Sequence, residues 1–155
     1  MSMTSNLPPP YTEVQKFEYD KENKVLSRVL GNTSCDYRRC HVEVWVNLDA
    51  GESVFDVPLK ADAQGTIRTM RVRSRSEKVK VTLTSAPGVY TKADDDPHPR
   101  SIIIQETTEK KDMLYDYENV YVYIEREGNP LSTYISIENL GADSDGISVI
   151  FTFGY

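Results

Sequence analysis

From about residue 40 onward, apolar side chains recur at every second position, the spacing of a strand with one buried and one open face. The clearest run is Cys40 to Leu48, where Val42, Val44, Val46 and Leu48 alternate with His41, Glu43, Trp45 and Asn47. Asp49-Ala50-Gly51-Glu52 supplies a turn, and Val54 to Leu59 reads as a short strand that Pro58 assigns to a sheet edge. A hairpin is expected there. The same alternation predicts strands at Thr66 to Arg73, Lys78 to Thr84, Ser101 to Gln105, Asn119 to Glu125, Ser132 to Glu138 and Ile147 to Phe153. Short strands separated by turn residues predict a mainly β, single-domain antiparallel sandwich or barrel. The last strand is expected inside the sheet, because its apolar alternation runs almost to Tyr155.

Helical spacing is confined to a few places. Val25, Leu26, Val29 and Leu30 within Tyr19 to Leu30 fit one apolar helical stripe ending before Gly31, and they also fit a strand. Thr12-Glu13-Val14-Gln15 has the form of a capping box, which leaves room for one short helix after Tyr11. Thr107 to Tyr117 reads either as a helical turn or as a charged connection. Pro87, Gly88, Pro97 and Pro99 mark residues 86–100 as a long exposed loop.

The chain of 155 residues is long enough for one domain with a real core, and 39% hydrophobic with 27% charged residues is a soluble composition. No window approaches the roughly 18 apolar residues of a membrane span. The opening residues lack a basic then apolar signal and lack the glycine of a myristoylation site, so synthesis in the cytosol is expected. The two cysteines, Cys35 and Cys40, are expected to be reduced, and with His41 and His98 they lack zinc-finger spacing. No metal or cofactor is expected. Catalysis is not expected either: there is no Gly-x-Ser-x-Gly, no phosphate-cradling glycine loop and no His-Glu-x-x-His, and neither histidine has a recognisable catalytic setting. Asp94, Asp95 and Asp96 lack calcium-loop spacing and read as a solvated tip.

Charge is unevenly spread. Arg68, Arg71, Arg73, Arg75, Lys78 and Lys80 face only Glu77 in their window, which carries +5 in a chain of −6 and leaves −11 elsewhere. If Thr66 to Arg73 and Lys78 to Thr84 pair as a hairpin, these cations form a basic strip. That strip suits an anionic membrane, an assembly contact with another copy, nucleic-acid phosphates, or solvent alone. The acidity of the remainder argues against nucleic acid as the main partner. Ten tyrosines include Tyr115, Tyr117, Tyr121 and Tyr123, which form either an interface or the covered face of a sheet.

Ahead of all this stands Leu7-Pro8-Pro9-Pro10-Tyr11, among residues that build no core. Consecutive prolines hold the chain in the extended polyproline form, so little entropy is lost on docking. Pro8-Pro9-x-Tyr11 resembles the PPxY motif read by WW domains, which implies a groove for the prolines and a pocket for Tyr11; a helical turn from the capping-box tetrad would place Val14 against the same partner. Residues 1–16 are therefore expected to be a disordered leader carrying the peptide, and 17–155 a β-rich domain. A PPPY leader, one β domain, no enzyme signature and a basic strip together resemble a viral matrix protein with a late-budding motif. The stretch from His41 to Ala86 is similar in strand rhythm to the matrix proteins of bornavirus-like negative-strand RNA viruses, with a glycine-containing turn followed by Val57-Pro58. The resemblance implies a non-enzymatic homo-oligomer in the host cytoplasm, peripheral to membrane, and in the virion. It also implies recruitment of a WW-domain ubiquitin ligase. The alternatives are a capsid or other viral structural subunit, and a cellular WW-binding adaptor without self-assembly. The net acidity departs from the basic character common in membrane-binding matrix proteins.

Overall fold

The structure is a computed structural model that describes residues 13–30, 39–60, 63–84, 102–124, 133–143 and 145–154. The proline-tyrosine peptide, Cys35 and the loop acids Asp94 to Asp96 lie outside the described residues, as does the side chain of Cys40. The described residues form ten strands: β1 (Glu13–Asp20), β2 (Val25–Leu30), β3 (Arg39–Leu48), β4 (Ser53–Pro58), β5 (Ala63–Arg73), β6 (Val79–Thr84), β7 (Ile102–Thr107), β8 (Asp112–Ile124), β9 (Tyr134–Asn139) and β10 (Asp145–Gly154). No helix occurs among the described residues.

Six strands form one sheet in the order β2-β1-β3-β10-β5-β8, and four form a second in the order β4-β9-β6-β7. The result is a β-sandwich. Every pairing is antiparallel except that of β1 with β3. Side chains from both sheets meet in one buried cluster, with Val42, Val44, Val46 and Leu48 of β3, Ile147, Val149, Phe151 and Phe153 of β10, and Val79, Val81 and Leu83 of β6 among its members. The period-two pattern thus turns inward as the sequence predicts. β10 lies between β3 and β5, at the centre of its sheet, and Pro58 is on the edge strand β4.

Both expected hairpins are absent, for one shared reason. The turn after β3 leads to β4 in the other sheet, and residues 74–78 carry β5 across to β6 in the same way. A short polar turn serves a crossing as well as a hairpin, so local turn chemistry does not reveal which occurs. The first crossing is held by Asn139, whose Nδ2 donates to Leu48 O at 3.2 Å, Asp49 O at 3.2 Å and Asp143 O at 2.8 Å. Its Oδ1 accepts from Gly141 N at 3.2 Å, while its backbone carbonyl accepts from Gly51 N at 2.9 Å and its N–H donates to Glu52 O at 3.0 Å. Gly51, at φ +78°, occupies the left-handed conformation that glycine adopts without cost. The second crossing is pinned by Thr108, whose Oγ1 accepts from Val79 N at 2.7 Å, and by Leu140 N donating to Lys78 O at 2.9 Å.

The helical readings near the N-terminus are also overturned. Tyr19 to Leu30 forms the end of β1, a turn and β2. Asp20 caps that turn: its carboxylate accepts from Glu22 N at 2.9 Å and from Asn23 Nδ2 at 2.7 Å, and Lys24 closes it at φ +57°. Glu13, Val14 and Gln15 of the capping-box tetrad begin β1 instead of a helix. Gln15 and Phe17 are buried there, so ordered structure starts inside the stretch expected to be leader. Val14 falls on the opposite face, in register with His41, and is not carried on a helical turn beside Tyr11.

Candidate cationic site

The outward face of the six-stranded sheet is polar where the buried face is not. Its register aligns Glu18, Trp45, Ser148, Arg73 and Asp112 in one row, and Lys16, Glu43, Ile150, Arg71 and Leu114 in the next. Opposite charges therefore alternate across β1, β3, β5 and β8, the arrangement that cross-strand neighbours favour. Arg71 grips Asp112 with both arms of its fork, Nε to Oδ1 at 2.9 Å and Nη2 to Oδ2 at 2.7 Å. This hydrogen bonding holds the Asp112 carboxyl below its ordinary value and raises the Arg71 guanidinium.

The six expected cations are divided by the fold. Arg68 sits at an irregularity in β5, between Ile67 and Thr69, where the pairing with both neighbouring strands shifts register. Arg71 and Arg73 project from the outer face of β5, with Arg71 committed to Asp112. Arg75 belongs to the crossing. Lys78 lines a separate depression of about 420 Å³ with Glu77, Thr107, Thr108 and Glu109, where two carboxylates oppose it. Lys80 lies in the second sheet, directly across from Glu138. A continuous basic strip does not exist, because β5 and β6 are not neighbours.

What the fold does assemble is a shallow depression of about 340 Å³ at the end of β5, lined by Arg73, Ser74, Arg75, Lys111, Asp112, Gly146 and Ser148. Lys111 arrives because its carbonyl accepts the Ser74 N–H at 2.9 Å, tying the turn before β8 to the end of β5. Arg73 stands between Ser148 on β10 and Asp112 on β8, its direct cross-strand neighbours. Ser74 Oγ accepts from Ser76 N at 2.9 Å, which directs its own hydroxyl proton elsewhere. At Gly146 the backbone is covered by the Trp45 indole, and a Cβ there would come within 2.8 Å of Trp45 Cζ2 and Nε1. Glycine is required for that approach. Sequence reading missed Lys111, Ser148 and the Trp45–Gly146 contact, since each joins the site only through the pairing of β8, β10 and β3.

The tyrosines divide as well. Tyr115 and Tyr117 pack inward against the core, and after the β8 register shift it is Val120 that does so, a change from odd to even positions. Burial raises both phenols, Tyr117 strongly, with the nearby Glu106 acting in the same direction. The side chains of Tyr121 and Tyr123 lie outside the described residues. Among the described residues no three His, Cys, Asp or Glu side chains gather as a metal site, and no helix is long and apolar enough to cross a membrane. No family model, curated protein or solved structure matches this chain.

Proposed function

We propose that the protein is a non-enzymatic, matrix-like structural subunit that self-assembles at an anionic membrane surface. In this reading Pro8, Pro9, Pro10 and Tyr11 are offered to host WW-domain ubiquitin ligases for budding. The observation that carries it is the junction of peptide and sandwich. Only Thr12 separates Tyr11 from Glu13, the first residue of β1, and β1 is anchored by buried Gln15 and Phe17. The docking peptide is thus joined to a rigid scaffold by a minimal tether, and self-association would display several copies at fixed spacing. Multivalent display raises avidity about 10²- to 10⁴-fold without new contacts when the geometry permits simultaneous engagement. The cationic depression supports the membrane half of the reading, as a local positive site on a chain of net charge −6.

Titration of the full chain with an isolated WW domain tests the recruiting half. Tyr11→Ala should abolish binding and leave the melting temperature unchanged, because Tyr11 precedes the sandwich. Equal affinity in the variant would refute the docking role.

A further inference from the structure

We propose that the depression lined by Arg73, Arg75 and Lys111 is a binding site for a phosphate dianion, presented either as free inorganic phosphate or as the monoester of a lipid headgroup. Among the described lining residues, Arg73, Arg75 and Lys111 stand with one carboxylate, Asp112. Both oxygens of that carboxylate are held by Arg71 from outside the lining, at 2.9 and 2.7 Å. With Asp112 gripped by Arg71, its single charge does not cancel those of Arg73 and Lys111, the two cations that carry the inference. A phosphate monoester carries about −1.5 to −2 charges at neutral pH and three acceptor oxygens. Guanidinium forks match those oxygens in pairs, an ammonium adds a point charge, and the site supplies both kinds of donor.

The neutral lining points the same way. Ser148 stands directly across from Arg73, and the hydroxyl of Ser74, whose oxygen is occupied by Ser76 N–H, is left with a proton to donate. Gly146 adds no side chain to the wall, and the space it leaves is taken by the Trp45 indole, which borders the depression there. Among the described lining residues none has an apolar side chain, which favours a polar ligand. The Trp45 indole over Gly146 places the only tryptophan of the chain at the border, where it reports on occupancy.

The inference rests on the anionic-surface half of the proposed function, and two arms separate their failures. In the first, the full chain is titrated with sodium phosphate against sodium chloride at matched ionic strength, read by Trp45 fluorescence. A saturable response to phosphate alone is expected, weakened about tenfold or more in Arg73→Glu/Lys111→Glu and retained in Lys24→Glu/Lys60→Glu, a charge-matched control elsewhere on the surface. Arg73→Lys keeps the charge but not the fork, and should bind between wild type and the double variant. Thermal melts confirm folding of each. In the second, phosphatidylcholine vesicles carrying a phosphoinositide monophosphate are compared in flotation with vesicles of equal charge made with phosphatidylserine. Selective flotation assigns the site to a lipid headgroup. A phosphate response without flotation assigns it to free phosphate and removes the membrane half of the proposed function. No saturable response and no selective flotation, or equal weakening by Lys24→Glu/Lys60→Glu and Arg73→Glu/Lys111→Glu, would overturn the site.

Discussion

Asn139 is the side chain on which the two sheets depend most directly, and replacing it by aspartate changes chemistry without changing shape. Its amide nitrogen carries two protons and faces three carbonyls, so the 3.2 Å contacts to Leu48 O and Asp49 O share one proton while Asp143 O, at 2.8 Å, takes the other. Removing the amide in Asn139→Ala leaves the Leu48 carbonyl without its side-chain donor, which costs about 1–3 kcal/mol where water cannot replace it. The bonds to Asp143 and Gly141 are partly accessible and contribute about 1 kcal/mol each. The alanine variant should therefore lose about 3–5 kcal/mol, a large share of the stability of an ordinary domain.

Asn139→Asp should be worse at neutral pH, because an ionised oxygen replaces the donor and meets the carbonyls directly. Protonation restores one donor. The aspartate variant is thus expected to approach wild type as pH falls, whereas alanine keeps a nearly constant deficit. Urea unfolding followed by Trp45 fluorescence at neutral and acid pH measures both. An aspartate midpoint equal to wild type at neutral pH, or a deficit that does not shrink on acidification, would refute the assignment of Asn139 as the donor that clamps the crossing.

Acid should weaken the wild type itself. Asp20, Glu52 and Asp112 are held below their ordinary values chiefly by hydrogen bonds from Asn23, Lys21 and Arg71, so their contribution is full above the ordinary carboxylate values of 3.8 and 4.5 and is lost as pH falls through the lower folded values. Urea midpoints across that window check the sign; constant midpoints would contradict it. At the other extreme Tyr117, raised by burial, contributes stability that is complete below 10 and declines as pH rises beyond it. A spectroscopic titration should show a tyrosine that ionises only on unfolding, and uniform titration of all tyrosines near 10 would count against its burial. Lys24→Gly should stabilise the fold by about 1 kcal/mol, since a residue with a Cβ now stands at φ +57°; calorimetry reads this as a raised Tm, and a lowered one would be contrary. Deleting residues 149–155 removes most of the central strand and should abolish the cooperative transition, so a truncated chain that still melts cooperatively would contradict the strand order.

The alternation of Val42 to Leu48 and Ile147 to Phe153 made the sandwich legible, because one buried face per strand leaves a period-two trace. β1 and β2 were harder. Val25, Val29 and Leu30 stand on an edge strand with their side chains exposed, and only Leu26 of that group packs on the core. With no buried face to enforce alternation, a helical spacing arose without a helix. Strand partners were not legible at all. The turns after Leu48 and Arg73 have hairpin chemistry, and only the sandwich determines that each crosses between sheets. The cationic site was accordingly half visible: Arg73 and Arg75 stood in a charged run, but Lys111 and Ser148 are distant in sequence and meet them only through β8 and β10.

The central claim is that one sandwich both assembles and recruits. Multi-angle light scattering of the full chain, over a range of concentrations with and without an excess of a WW domain, tests it most directly. A defined oligomer is expected, its mass rising by one WW domain per chain, with the increment lost and the oligomer kept in Tyr11→Ala. A monomer at every concentration, or an increment that survives Tyr11→Ala, would contradict it.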